Sequence, residues 1–328
     1  MLSLSSSSLR RRCHSLLRVI GSGLWPASLL LGLCILTFFL SHVAPGDSAR
    51  IILGPSARED VVEALRVEMG LDRPLWRQFA RFMGDTVSGN WGSSWLTRQP
   101  VMREISDHLP PTLWLGFFAS LYSIGLALAI NALAFTWPAL GRILLPSLRL
   151  GIAIPAFVFA VAAALAAIRL ETITGWSAGQ QSATRFLLPA LAVALYPACV
   201  MAALLRDRFS AIMAAPFYRA ARAAGQPPSL IFLQTLLANS WPTLLIAWVN
   251  QISMLVFSTI IVEWVFSFRG IGTLLIRSIQ GKDLPVLSGI ILLNGAFFLL
   301  IRLLSRENSP SRERTAEAAS LPPLPSAN

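Results

Sequence analysis

Six stretches of this sequence, at about 24–43, 112–135, 143–168, 186–205, 241–262 and 286–304, are almost free of charge. Each is close to the roughly 17–25 residues that a helix needs to cross about 30 Å of hydrocarbon. Lipid offers no water to backbone N–H and C=O groups, so such runs must satisfy their own hydrogen bonds as helices. The expected fold is therefore an all-α polytopic membrane protein with six transmembrane helices. Of the 328 residues 55% are hydrophobic and 13% charged, whereas a soluble domain carries about a quarter charged residues. An Arg-rich start before an apolar run can also mark a secretory signal. This run is long for that role and no A-x-A site follows, so it is read as the first span.

The net charge of +11 does not point to nucleic acid, because the cations flank the spans. Arg10, Arg11, Arg12 and Arg18 precede the first span, and Arg142 follows the second. Arg206, Arg208, Arg219 and Arg222 lie after the fourth, and Arg302 and Arg306 end the sixth. The positive-inside rule puts these and both termini in the cytoplasm. The segment 44–111, with the loops near 169–185 and 263–285, then falls outside. The expected division is a flexible cytoplasmic N-terminus (1–22), a first transmembrane helix (23–43), an extracytoplasmic helical segment (44–111), a five-helix transmembrane core (112–304, including a polar loop at 206–240) and a disordered cytoplasmic tail (305–328).

Within 44–111, Ser56 and Glu59 have capping-box spacing, Val61, Leu65 and Met69 share a helical face, and Gly70 is a left-handed stop. Asp72 can cap a second helix whose Leu75, Phe79 and Phe82 share a face. Trp91 and Trp95 suit the headgroup layer.

Catalytic chemistry is absent. His14, His42 and His108 have no ligand-spaced partners, and Cys13, Cys34 and Cys199 are scattered. Neither a phosphate-cradling G-x-x-x-x-G-K-[ST] nor a G-x-S-x-G elbow occurs. No cofactor or metal is expected. A proton or ion relay would need ionisable groups inside the spans; the second, fourth and sixth hold none before their last turns, and the third only Arg149. The spans carry mildly polar residues instead: Ser120, Tyr122, Ser123 and Asn131 in the second, Asn250, Gln251, Ser253, Ser258 and Thr259 in the fifth, and Asn294 in the sixth. Asn131, Asn250, Gln251 and Ser253 are the candidates for lining a passage. The alternative is that such groups hydrogen-bond between neighbouring helices.

The loop 206–240 is too polar to span a membrane and is patterned as a helical hairpin. Arg219 and Arg222 share a face, Ala220 and Ala221 leave a smooth surface, and Gly225 can take the left-handed conformation that ends the helix. Pro227 and Pro228 suit the first turn of a second helix, which would carry Leu230, Ile231 and Leu233. An amphipathic helix lying on the membrane would share these features.

This loop resembles the EAA motif of the permease subunits of ATP-binding-cassette importers. Other segments extend the resemblance to nearly the whole of 24–304. HVAPGDSARIILGPSAREDVVEALRVEMGLDRPLWRQFARFM and SGNWGSSWLTRQPVMREISDHLPPTLWL are similar to the start of the dipeptide/oligopeptide/nickel group. EWVFSFRGIGTLLIRSIQGKDLPVLSG matches that group at Glu263, Phe266, Gly270, Gly272, Asp283, Pro285 and Gly289. The chain departs from the pattern at Ala224, Gln234, Ser48 and Asn90, and 169–185 is short. The resemblance implies a non-catalytic bacterial inner-membrane permease for peptides, nickel or related small solutes. Its partners would be a second, homologous permease subunit in a heterodimer, two ATPase subunits and an extracytoplasmic solute-binding protein. It also implies that Arg219, Ala220, Ala221, Arg222, Gly225, Pro227, Leu230, Ile231 and Leu233 form the ATPase-coupling surface. The competing readings are a stand-alone secondary transporter or channel, which the missing intramembrane charges disfavour, and a membrane-anchored scaffold.

Overall fold

The computed structural model describes residues 28–39, 47–174 and 186–307. The N-terminal and C-terminal tails, most of the loop 169–185, and the ends of the expected first span lie outside the described residues. Among those described there is no β-strand, only one antiparallel bridge between Ser93 and Pro100. The helices are α1 (Ser28–Phe39), α2 (Ser48–Leu53), α3 (Glu59–Met69), α4 (Leu75–Ser88), α5 (Val101–Thr136), α6 (Pro138–Ala153) and α7 (Ala156–Thr174). They continue with α8 (Leu187–Ala214), α9 (Pro216–Ala223), α10 (Pro228–Leu230), a π-helical segment (Ile231–Leu237), α11 (Ala238–Val265), α12 (Ile271–Gln280) and α13 (Leu284–Glu307). Among the described residues, four helical runs are long and apolar enough to cross a membrane: Val101–Thr136, Leu187–Ala214, Pro228–Val256 and Leu284–Ile301. A bent pair, α6 with α7, makes a fifth if taken as one span.

Two expectations about the spans change. The second was expected to start at 112, but its helix begins at Val101 and contains Pro110 and Pro111. The third, expected as one run, is broken: α6 ends at Ala153 and α7 starts after Pro155, with a bend of 106°. Proline disfavours helical geometry in the residue before it, and Ile154 is extended at φ −81°, ψ 124°.

The chain divides into two compact units, one comprising residues up to 107 with 275–300, the other 108–274 with residues from 301. In the first unit α3 begins at Glu59 with Arg58 as its N-cap and no side-chain cap, so the Ser56–Glu59 capping box does not form. Arg58 pairs with Asp60 instead (2.7 Å). The buried face is Val62 and Leu65 with Met69, packed around Ala49, and Val61 is exposed. Gly70 adopts φ 73° and closes α3 with the paired bonds Gly70 N–H to Val67 O (3.0 Å) and Leu71 N–H to Arg66 O (3.0 Å). Pro74, not Asp72, occupies the N-cap of α4. Phe79 and Phe82 pack edge-on and tilted against Phe38 at 5.2 and 5.7 Å, while Leu75 is exposed. Asp283, just before α13, is 2% exposed. Its carboxylate accepts from Ser94 Oγ, from Trp95 N–H at 3.1 Å and from Leu96 N–H at 3.4 Å, so it ties the 94–96 loop to the start of the last span.

In the second unit α8 is the central helix and packs on α6, α7 and α11. Ala190, Ala192, Ala194, Ala198 and Ala202 are all buried along it, small side chains that let membrane helices approach closely. At the end of α11, Glu263 is fully buried. It accepts from Thr112 Oγ1 (2.6 Å) and from Gly272 N–H (2.7 Å), while Thr112 Oγ1 accepts from Ile271 N–H (2.9 Å). Ile271 and Gly272 open α12, where N–H groups have no partner within their own helix, so the carboxylate caps α12 from another helix. A Cβ at Gly270 would run into that carboxylate, and one at Gly272 would lie 2.8 Å from Glu263 Oε2.

Replacing Glu263 by Ala orphans the Gly272 N–H, at about 1–3 kcal/mol, and leaves Thr112 Oγ1 only its longer contact to His108 O (3.5 Å), whereas Gln keeps an acceptor. Thermal unfolding of the detergent-solubilised protein should therefore show a clear drop in midpoint for Glu263→Ala and a smaller one for Glu263→Gln. Equal midpoints for all three would remove the clamp from the account.

Candidate coupling loop and translocation path

The hairpin after α8 is held by its own apolar side. Tyr218 on α9 is buried with Phe209, Ile212, Ile231, Phe232 and Leu236. That anchoring turns Arg219, Ala220 and Arg222 outward, with Ala221 half-buried. Phe217 is exposed as well. Arg219 Nη2 donates to Ala214 O at 3.4 Å. The helix ends as the local chemistry requires: Gly225 has φ 70°, its N–H meets Arg222 O (3.1 Å), and Gln226 N–H meets Ala221 O (3.4 Å). This is the Schellman pattern. A Cβ at Gly225 would meet nothing within 4 Å, so the positive φ alone demands glycine there, with asparagine the tolerated substitute.

Pro227 is the N-cap and Pro228 the first residue of α10. The second helix thus starts at the two prolines, and α10, the π segment and α11 run on without a break from Pro228 to Val265. The π segment buries Ile231, Phe232, Thr235 and Leu236 and leaves Leu233 57% exposed. Leu230 is intermediate. Of the three apolar candidates, Ile231 thus packs into the protein and Leu233 faces away from it. π turns are rare and often sit at functional sites; no spacing rule in the sequence announces this one.

The candidate path residues are distributed unevenly. Asn250 is exposed on an α11 face shared with Ile246, Met254, Ile261 and Trp264. Gln251 is half-buried and its Oε1 has no partner. The side chain of Ser253 lies outside those described. Asn131 is 1% exposed, and its Nδ2 donates to Ala127 O (2.9 Å) and to Ala202 O on α8 (3.0 Å). Ser123 likewise reaches Ala194 O on α8 (3.3 Å). Asn131 Oδ1, Ser240 Oγ and Trp248 Nε1 are buried without hydrogen-bond partners among the described residues. Unsatisfied buried groups are uncommon, and three of the four found here are on α11. Ser240 and Trp248 were not singled out from sequence, since neither polarity nor spacing marks them. Among the described residues no group of three or more His, Cys, Asp or Glu could hold a metal ion.

Residues 121–306 match the family described as "Binding-protein-dependent transport system inner membrane component", and 16–116 match its N-terminal companion, "Binding-prot-dependent transport system membrane comp, N-term". The glutathione transport system permease protein GsiC of Escherichia coli K12 is 33% identical over 276 residues, 82% of this chain and 88% of that protein. The protein of the same name from Salmonella paratyphi A is 33% identical over 291 residues, covering 86% and 92%. A crystal structure of an amino acid ABC transporter aligns with 63% of this chain and 94% of its own at 18% identity, with a TM-score of 0.46.

Proposed function

This chain belongs to the family of binding-protein-dependent transport system inner membrane components, the permeases of ATP-binding-cassette importers in the bacterial inner membrane, and from that premise we propose how its parts divide the work. The hairpin from Pro216 to Leu237 is the coupling element. It docks in a cleft on a separate ATPase subunit, which hydrolyses ATP while the permease itself catalyses nothing. The observation that carries this reading is the split of the hairpin into a buried half, Tyr218 and Ile231, and an exposed half, Arg219, Ala220, Arg222 and Leu233. The buried half makes the hairpin move with the spans, and the exposed half offers a partner two arginines, an apolar Leu233 and, at Ala220, room for close approach. Ala221, Leu230 and Pro227 complete that surface, and Gly225 sets the angle between its arms.

The assembly comprises this chain, a homologous second permease, two ATPase subunits and an extracytoplasmic solute-binding protein. Ser28–Phe39 is the described part of the first of six spans, and α6 with α7 together form the third. The path runs along α5 and α11. Asn250 faces it and Gln251 and Ser253 adjoin it, while Asn131, whose amide nitrogen pins α5 to α8, offers only its free Oδ1. A weakly polar, uncharged lining passes a hydrated solute without a deep trap. The curated relatives' name supports a peptide-like solute such as glutathione.

A photoactivatable amino acid at Leu233 should cross-link to the ATPase subunit in the assembled complex, while one at Ile231 should stay within the permease. The reverse pattern would move the docking face. Cysteine at Asn250 should react with a small aqueous thiol reagent at a rate that changes with ATP, and uniform protection would remove Asn250 from the path.

A further inference from the structure

In the unit formed by residues up to 107 with 275–300, a cavity of about 280 Å³ opens between the α3–α4 corner, the 90–95 loop and the first turns of α13. Its lining joins the apolar Phe82, Trp91, Trp95 and Leu292 to the basic Arg73, Arg77 and Arg81. Arg77 and Arg81 stand one turn apart on α4, the spacing that aligns side chains along one face of a helix, and Arg73 lies in the turn just before it. Two acids also line the cavity, and both are engaged: Glu68 by Arg98 at 2.9 Å and Asp85 by Arg81 at 3.6 Å. Arg73 and Arg77 have no carboxylate within ion-pair distance among the described residues. Arg77 lies over the Trp76 ring at 5.0 Å. Stacking occupies the face of a guanidinium and leaves its N–H edge available for a planar anion. The corner beneath is fixed in advance, since Gln78 Nε2 donates to Leu71 O (3.2 Å) and Arg73 O (2.7 Å).

We propose that this cavity binds a small carboxylate-bearing solute, its oxyanion on Arg73 and Arg77 and its apolar body against Trp91 and Trp95. Charge-assisted bonds to a planar oxyanion are the strong contacts here, and the indoles supply large apolar faces beside them. A phospholipid phosphate shares the oxyanion chemistry, so its contribution must be separated by experiment. That the site faces outward, where it would receive solute before the path, rests on the topology proposed above; the binding itself does not.

The test is equilibrium binding of radiolabelled glycyl-phenylalanine, and of its C-terminal amide, to the permease complex in phosphatidylcholine nanodiscs without the solute-binding protein. Saturable binding of the acid is expected, weakened about tenfold or more both by amidation and by Arg73→Gln with Arg77→Gln, as lost charge-assisted bonds imply. Trp91→Ala should weaken it as well. Both arginines are exposed, so the double variant should assemble normally. No binding to wild type, equal binding of acid and amide, or undiminished binding to the double variant would overturn the proposal. Displacement of the dipeptide by added phosphatidylglycerol would assign the cavity to lipid and overturn it too. Loss of the ATPase subunits from the preparation would count against the coupling reading alone, because binding is read on the permease.

Discussion

A carboxylate taken out of water must have its hydration replaced by fixed donors, and removing those donors costs more than the contact itself gains. This chain has 13% charged residues; among the described residues its two most buried acids, Glu263 and Asp283, each sit at a junction between a helix and a loop. Glu263 gathers Thr112 and the first N–H groups of α12 at the end of α11. Asp283 gathers Ser94 and the N–H groups of Trp95 and Leu96 at the start of α13. Helices in an apolar medium lack the hydrophobic drive that sorts soluble cores, so such polar clamps fix where irregular segments sit. Gly270 follows from the first clamp, because any side chain there would occupy the carboxylate's position, while Gly272 is held to glycine by the Ile260 backbone as well as by that carboxylate.

The hairpin proposed for coupling follows a different logic. Its inner face is ordinary core, with Tyr218 and Ile231 among Phe209, Ile212 and Phe232, so a push on the hairpin acts on α8 and α11 together. Its outer face is small or flexible side chains on a short helix closed by Gly225. The unbroken run from Pro228 to Val265 makes the second arm and α11 one rod, which under the proposed coupling would transmit motion more directly than two helices joined by a turn.

Features set by short-range chemistry were legible in the sequence. Long uncharged runs read as helices because lipid permits nothing else among single segments, and Gly70 and Gly225 read as left-handed stops because that backbone geometry excludes most other residues. Signals open to local competition misled. Ser56 was passed over as a cap because the preceding chain already turns at Gly54, with Ala57 N–H on Gly54 O (3.3 Å), and Pro74 displaced Asp72. The break at Pro155 was readable in principle, yet the surrounding hydropathy ran straight through it. What no local rule could supply were partners distant in sequence: Ala202 for Asn131, Thr112 for Glu263, Ser94 for Asp283. Glu263 and Asp283 were visible from sequence only as landmarks of a family resemblance, and Ser240 and Trp248 not at all.

The central claim is that force passes through a hairpin whose angle depends on one left-handed residue with open space around it. The most direct measurement is ATP hydrolysis by the reconstituted complex with the solute-binding protein and substrate, compared among wild type, Gly225→Asn and Gly225→Val at equal membrane abundance. Asparagine adopts positive φ at little cost, whereas a β-branched residue there is strained by about 1–3 kcal/mol. The account predicts near-normal stimulation for Gly225→Asn and its loss for Gly225→Val. Full stimulation of Gly225→Val would mean that the Gly-Gln-Pro-Pro break merely joins two spans, and the coupling assignment would fall.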